Sequence, residues 1–132
     1  MQARKIGKIG EKLANPYLTK KYNDEKNGVE IRWLNEKTES NAAYDLALFK
    51  GKVIHHYFEV KVTGIPDKYF FSMTPNEIHL AAKRRHLYNV VFIKVNTDLS
   101  ADVYEIESPL SKGSGLQAIF RAKVDPSLLS WP

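Results

Sequence analysis

Three side chains of this sequence have the types and spacing to do chemistry together, and two of them are separated by a single residue. Glu59 and Lys61 lie in Val53–Thr63 (VIHHYFEVKVT), a run rich in β-branched and aromatic residues with no Gly or Pro, which reads as a long strand. Alternate side chains of a strand share a face. His55, Tyr57, Glu59, Lys61 and Thr63 therefore point one way, and Ile54, His56, Phe58, Val60 and Val62 the other, the second set forming the core face. Glu59 and Lys61 put a carboxylate and an ammonium roughly 7 Å apart along one face. An isolated Glu-x-Lys reads as an ion pair on a solvated surface. Asp45, on the preceding strand, changes that reading by adding a second carboxylate. Phosphodiester hydrolysis needs charge neutralisation around the phosphate, a positioned water and a stabilised leaving oxygen. Carboxylate oxygens suit Mg²⁺, and a lysine is a compact positive charge able to stand beside a phosphate and orient a water.

For Asp45 and Glu59 to work on one ion they must share a sheet face, and the turn between their strands decides this. Directly opposed residues of an antiparallel pair share a face, and a slip of one residue reverses it. A two-residue turn at Lys50-Gly51 sets Asp45 against His56, on the wrong face. A three-residue turn, Lys50 to Lys52, sets Asp45 against Tyr57, on the face of Glu59. The expectation is an odd-length turn, or an even one corrected by a bulge, with Asp45, Glu59 and Lys61 clustered.

The elements that must position these residues follow from periodicity. Gln2 to Ala14 reads as a helix, with Ile6, Ile9 and Leu13 at helical spacing. Gly7 and Gly10 weaken it as a helix but allow another backbone to approach closely. Asn15-Pro16 interrupts the pattern, so the helix kinks there or restarts with Asn15 as its cap. Lys20 to Asn27 reads as a polar loop ending at Gly28. Val29–Leu34 and Tyr44–Phe49 read as the two strands before the central one. Thr74-Pro75-Asn76-Glu77 opens a helix with a capping box, Thr74 as cap and Glu77 reaching back, and the helix runs to about His86. Asn89–Val95 reads as a buried strand; Asp102–Ile106 and Leu116–Val124 are two more, separated by the loop SKGSG. Helix–strand–strand–strand–helix–strand is the order of an α/β domain with a mixed sheet.

Composition excludes whole classes of function. The 132 residues suit one domain with a core of its own. With no cysteine, disulfides, thiolate catalysis and Cys-based zinc sites are out. A formal charge of +5 and a pI near 9.3 fit a polyanionic partner. No apolar run approaches the roughly 20 residues of a membrane span, and MQARKIGKIG lacks the apolar region of a signal peptide. The expected location is intracellular, cytoplasmic or nuclear, with no membrane partner. A homodimer and excision from a larger multidomain protein both stay open.

The ordered residues resemble the PD-(D/E)xK nuclease superfamily, and within it most closely the C-terminal domain family named after the plant protein NO VEIN. The matching pieces are Gly7-x-x-Gly10-Glu11, Trp33-Leu34-Asn35, Glu39-Ser40, Tyr44-Asp45-Leu46 and Glu59-Val60-Lys61-x-Thr63. Phe71-Ser72 with Glu77 and Tyr88-Asn89-Val90-Val91 complete the set. The resemblance implies a restriction-endonuclease-like αβββαβ core over about residues 5–95, with strands at 100–125 completing a single domain. It implies a Mg²⁺ (or Mn²⁺)-dependent nuclease acting on DNA or RNA. Asp45, Glu59 and Val60 would be the metal ligands, Lys61 the catalytic lysine and Glu11 an accessory acid. The competing reading is a nuclease fold without activity, used to bind nucleic acid or a protein partner. Several residues have plainer explanations: Glu77 as the capping-box acid, Tyr57 as a packing residue, and Lys83-Arg84-Arg85 as charge suited to a helix C-terminus.

Overall fold

The computed structural model describes residues 3–34, 43–65, 68, 70–98, 100–110 and 119–124; the side chains of 3–8 and 119–124 are not described. Glu39-Ser40 and Asn35 lie outside the described residues. The elements are α1 (Ala3–Tyr22), β1 (Val29–Trp33), β2 (Leu46–Lys50), β3 (Val53–Thr63), α2 (Pro75–Arg84), β4 (Tyr88–Val95), β5 (Ala101–Glu107) and β6 (Ile119–Val124). Short 3₁₀ turns cover Glu25–Asn27 and Arg85–Leu87. The chain is α/β. The six strands among the described residues form one sheet in sequence order, antiparallel except where β3 and β4 run parallel. A parallel neighbour requires a crossover, and the segment carrying α2 provides it.

The first helix does not stop before Pro16. It continues through Pro16 to Tyr22, and neither the restart capped by Asn15 nor a loop beginning at Lys20 forms. Pro16 removes one backbone donor, but the second half of the helix is held by burial. Leu13, Ala14 and Leu18 are sealed against Phe58, Val91, Ile93 and Val103, and burying each of the two leucines contributes about 1.5–3 kcal/mol. Gly10 is required by this contact, since a Cβ there would lie 2.9 Å from Val62 Cβ.

Both faces of the central sheet are covered. Beneath α1 lie Phe58 and, half-buried, Val60 and Val62. On the other face Tyr57, Tyr88 and Val90 pack with Ala81 of α2. The expected solvated face of β3 is therefore largely interior: Tyr57, Glu59 and Thr63 are buried.

The β2–β3 register satisfies the second form of the geometric expectation. Lys50 pairs with Val53 across a two-residue turn, Gly51-Lys52, with Gly51 at φ 62°. Phe49 pairs with Ile54, but Leu48 pairs with His56, so His55 is an extra residue in β3. Without that bulge Asp45 would fall opposite Phe58 and face α1. With it, the ladder ends at Leu46–Phe58 and the Asp45 carboxyl reaches Glu59. The bulge also moves Ile54 off the Phe58 face, where simple alternation put it, and into the Tyr57 cluster.

Candidate active site

Asp45 stands one residue before β2 and is held by its backbone on both sides. Its N–H donates to Phe58 O and its carbonyl accepts from Leu34 N–H, both at 2.9 Å. Its side chain turns to β3, where Oδ2 accepts the Val60 N–H at 2.8 Å. The bulge thus puts Asp45 beside the Glu-x-Lys segment. From there Glu59 and Lys61 point to the α2 side, and Lys61 Nζ lies 3.6 Å from Glu59 Oε2.

The fourth member arrives from α2. Glu77 is the capping-box acid expected from the sequence: Thr74 N–H donates to its Oε1 at 3.0 Å, and its own N–H donates to Thr74 Oγ1 at 3.2 Å. The same Oε1 accepts a 2.7 Å hydrogen bond from Lys61. The cap and the lysine anchor are one atom. A capping box reads as local from sequence, so the part of Glu77 in the site was hidden behind a sufficient explanation. Its place in the family pattern was the signal pointing to it.

Three carboxylates around one ammonium leave an excess of negative charge in a buried place. Burial pushes Glu59 up to about 11, with the neighbouring Asp45 and Glu77 adding to it. Burial also raises Asp45, against lowering hydrogen bonds from Glu59 and the Val60 amide. Burial acts upward on Glu77 too, but its hydrogen bonds with Glu59 and Lys61 outweigh it and hold it below the usual range. Tyr88, fully buried beneath the cluster, donates to Ala43 O at 3.0 Å, and burial with the charges of Glu59, Glu77 and Asp45 pushes its hydroxyl upward. Paired buried carboxylates, one of which must otherwise keep a proton, are a donor set suited to a hard divalent cation. Among the described residues no group of three or more His, Cys, Asp or Glu is placed to hold a metal ion. Mg²⁺, which keeps several waters and leans on one or two carboxylates plus phosphate, does not need such a group.

Glu11 is placed differently. It is buried on α1 and accepts the Trp33 indole N–H at 2.9 Å. Trp33 packs into the α1-side core, whereas Lys61 and Glu77 meet on the α2 side.

A model of the family described as the C-terminal part of protein NO VEIN matches residues 10–106, which spans Glu11 and all four clustered residues. The chain belongs to the NO VEIN C-terminal family. It is 29% identical over 92 residues to Protein NO VEIN of Arabidopsis thaliana, and likewise to Protein NO VEIN-LIKE of the same plant. Each match takes in 70% of this chain, but only 3% of the first relative and 14% of the second. The chain therefore corresponds to a small part of these relatives. No solved structure matches it. Among the described residues, no helix is long and apolar enough to cross a membrane.

Proposed function

We propose that this NO VEIN C-terminal domain is a PD-(D/E)xK-type, metal-dependent nuclease that hydrolyses phosphodiester bonds in DNA or RNA, on a restriction-endonuclease-like core. The observation that carries the reading is the bulge at His55, which turns Asp45 onto the face of Glu59 and Lys61. Asp45 and Glu59, with Val60 between Glu59 and Lys61, would hold Mg²⁺ or Mn²⁺. Such an ion, when bound, neutralises phosphate charge and lowers the pKa of a bound water. Lys61 places a positive charge beside the phosphate and orients the attacking water. Glu77 keeps the Lys61 ammonium in place. Val60 N–H fixes the rotamer of Asp45. In the reaction water oxygen bonds to phosphorus, the bond to the leaving oxygen breaks, and that oxygen takes up a proton.

One contact favours the second reading, a nuclease fold that binds without cleaving: the Lys61 ammonium is already engaged by Glu77. Incubation with single- and double-stranded DNA and RNA, in Mg²⁺ or Mn²⁺ against EDTA, separates the two. Metal-dependent cleavage that disappears with EDTA is expected. Binding without cleavage of any substrate in either metal would leave the binding module as the function.

A further inference from the structure

Lys83-Arg84-Arg85 at the end of α2 has the composition of ordinary helix-terminal charge, and the cluster described above makes no use of it. The fold treats the three differently. Lys83 and Arg85 are exposed, while Arg84 is half-buried with its guanidinium carbon 5.4 Å from the centre of the Tyr57 ring. Its Nε is enclosed without an acceptor, and no carboxylate among the described residues pairs with it. Lys61, by contrast, has its charge answered by Glu77 and Glu59.

The position of Arg84 is held on two sides. Tyr57 is buried, and Tyr44 packs edge-on against it at 4.9 Å between ring centres. Immediately after Arg84 the chain bends sharply: Arg85 adopts φ 50° and ψ −116°, a conformation that side chains with a Cβ rarely take. Tyr57 precedes Glu59 by two residues on the same face of β3, a separation of roughly 7 Å along the strand. A guanidinium with no carboxylate partner among the described residues is therefore stacked beside the carboxylate–lysine cluster, on its side of the sheet. A guanidinium lying on an aromatic ring is pre-oriented and weakly hydrated, and its forked N–H groups match phosphate oxygens.

We propose that Arg84, shelved on Tyr57, is an anion subsite that binds a backbone phosphate next to the scissile one, on a nucleic acid strand crossing the cluster. The strand's path rests on the nuclease reading; the anion-binding role of Arg84 is tested apart from it. Labelled single-stranded and duplex oligonucleotides are titrated in EDTA, over a range of salt, into the full chain and its Arg84→Gln, Arg84→Lys and Lys83→Gln variants. Arg84→Gln binds about tenfold more weakly, and the slope of log K against log salt falls by about one phosphate contact. Arg84→Lys restores the slope but only part of the affinity, since it keeps the charge and loses the fork. Lys83→Gln, an equal change of charge one position away, stays close to wild type. Equal affinity and slope in Arg84→Gln and Lys83→Gln overturns the subsite, and so does wild-type protein that binds no oligonucleotide at low salt. Inorganic phosphate binding as tightly as the oligonucleotides would overturn the strand reading in favour of a free-phosphate site. Cleavage with Mg²⁺ is scored separately: an Arg84 effect on binding in a protein that cleaves nothing sinks the nuclease reading and leaves the subsite standing.

Discussion

Two buried glutamates on opposite faces of the same sheet live under contrary conditions. Glu59, on the α2 side, is 5% exposed, and Glu105, on the α1 side, is 1% exposed. Burial is nearly the same, so the difference lies in their neighbours. Glu105 is surrounded by donors: the Tyr17 hydroxyl at 3.0 Å, Lys21 Nζ at 2.8 Å, the Tyr22 hydroxyl and the Asn89 side-chain amide. Burial works to raise its pKa, yet hydrogen bonds from Lys21 and Tyr22 outweigh it and the carboxyl stays below its usual range. Glu59 is surrounded by acids and is pushed up to about 11. A satisfied buried carboxylate stabilises a fold, while a crowded one is held in an unfavourable state by the structure around it. Glu105 ties α1 to β5 and leaves no charge over. The Glu59 cluster sets three carboxylates against one ammonium, and perturbed groups of this kind collect at functional sites.

The comparison breaks first at the two lysines. Lys61→Ala is expected to lower cleavage by about 10²–10⁴-fold, the range for a positioned proton-transfer group, with the fold and nucleic acid affinity retained. Lys21→Ala should leave the cleavage rate near wild type while lowering the unfolding midpoint. Cleavage rates and urea melts on both variants decide it; Lys61→Ala cleaving at the wild-type rate rules out the proposed site.

The same substitution in the two glutamates should act with opposite sign. Glu105→Gln removes a charged acceptor from several donors and is expected to destabilise by about 2–4 kcal/mol in urea unfolding. Glu59→Gln replaces a crowded acid with a neutral group of its size. It should leave stability unchanged or raise it by about 1 kcal/mol near neutral pH, while abolishing cleavage. Comparable destabilisation by both substitutions would show that the neighbours do not set the difference.

Titration sharpens the contrast. Folded Glu59 keeps its proton up to about 11, whereas the unfolded chain loses it around the ordinary value of 4.5. The folded state then binds more protons, so the stability Glu59 contributes is full below that lower value and declines as pH rises through the window. Glu105, lowered on folding, contributes stability above its ordinary value and loses it as pH falls. Melting temperature against pH should thus be flatter on the alkaline side for Glu59→Gln and flatter on the acid side for Glu105→Gln. The smallest expected effect is Thr74→Ala, at about 1 kcal/mol for the lost cap. Because Glu77 both caps α2 and holds Lys61, this variant should also lower cleavage modestly, and an unchanged rate would separate the two roles.

Much of this was legible in the chain itself. The β-branched run of Val53–Thr63, the Thr74-Pro75-x-Glu77 cap and the order of the elements follow from local chemistry, because strand alternation and helix capping act between near neighbours. The Glu-x-Lys spacing and its partner Asp45 could be read for the same reason, as could the condition that a bulge or an odd turn must join them. What the tertiary structure alone decided depends on contacts far apart in sequence. It decided that α1 runs through Pro16, since the reason lies in Phe58, Val91 and Val103. It decided that the even turn is corrected by an extra residue at His55, which local propensity does not mark. The donor set around Glu105, drawn from α1 and β4, and the acids around Glu59, drawn from the residue before β2 and from α2, also form only on folding. A carboxylate's energy depends on what surrounds it in space, and no spacing along the chain reports that.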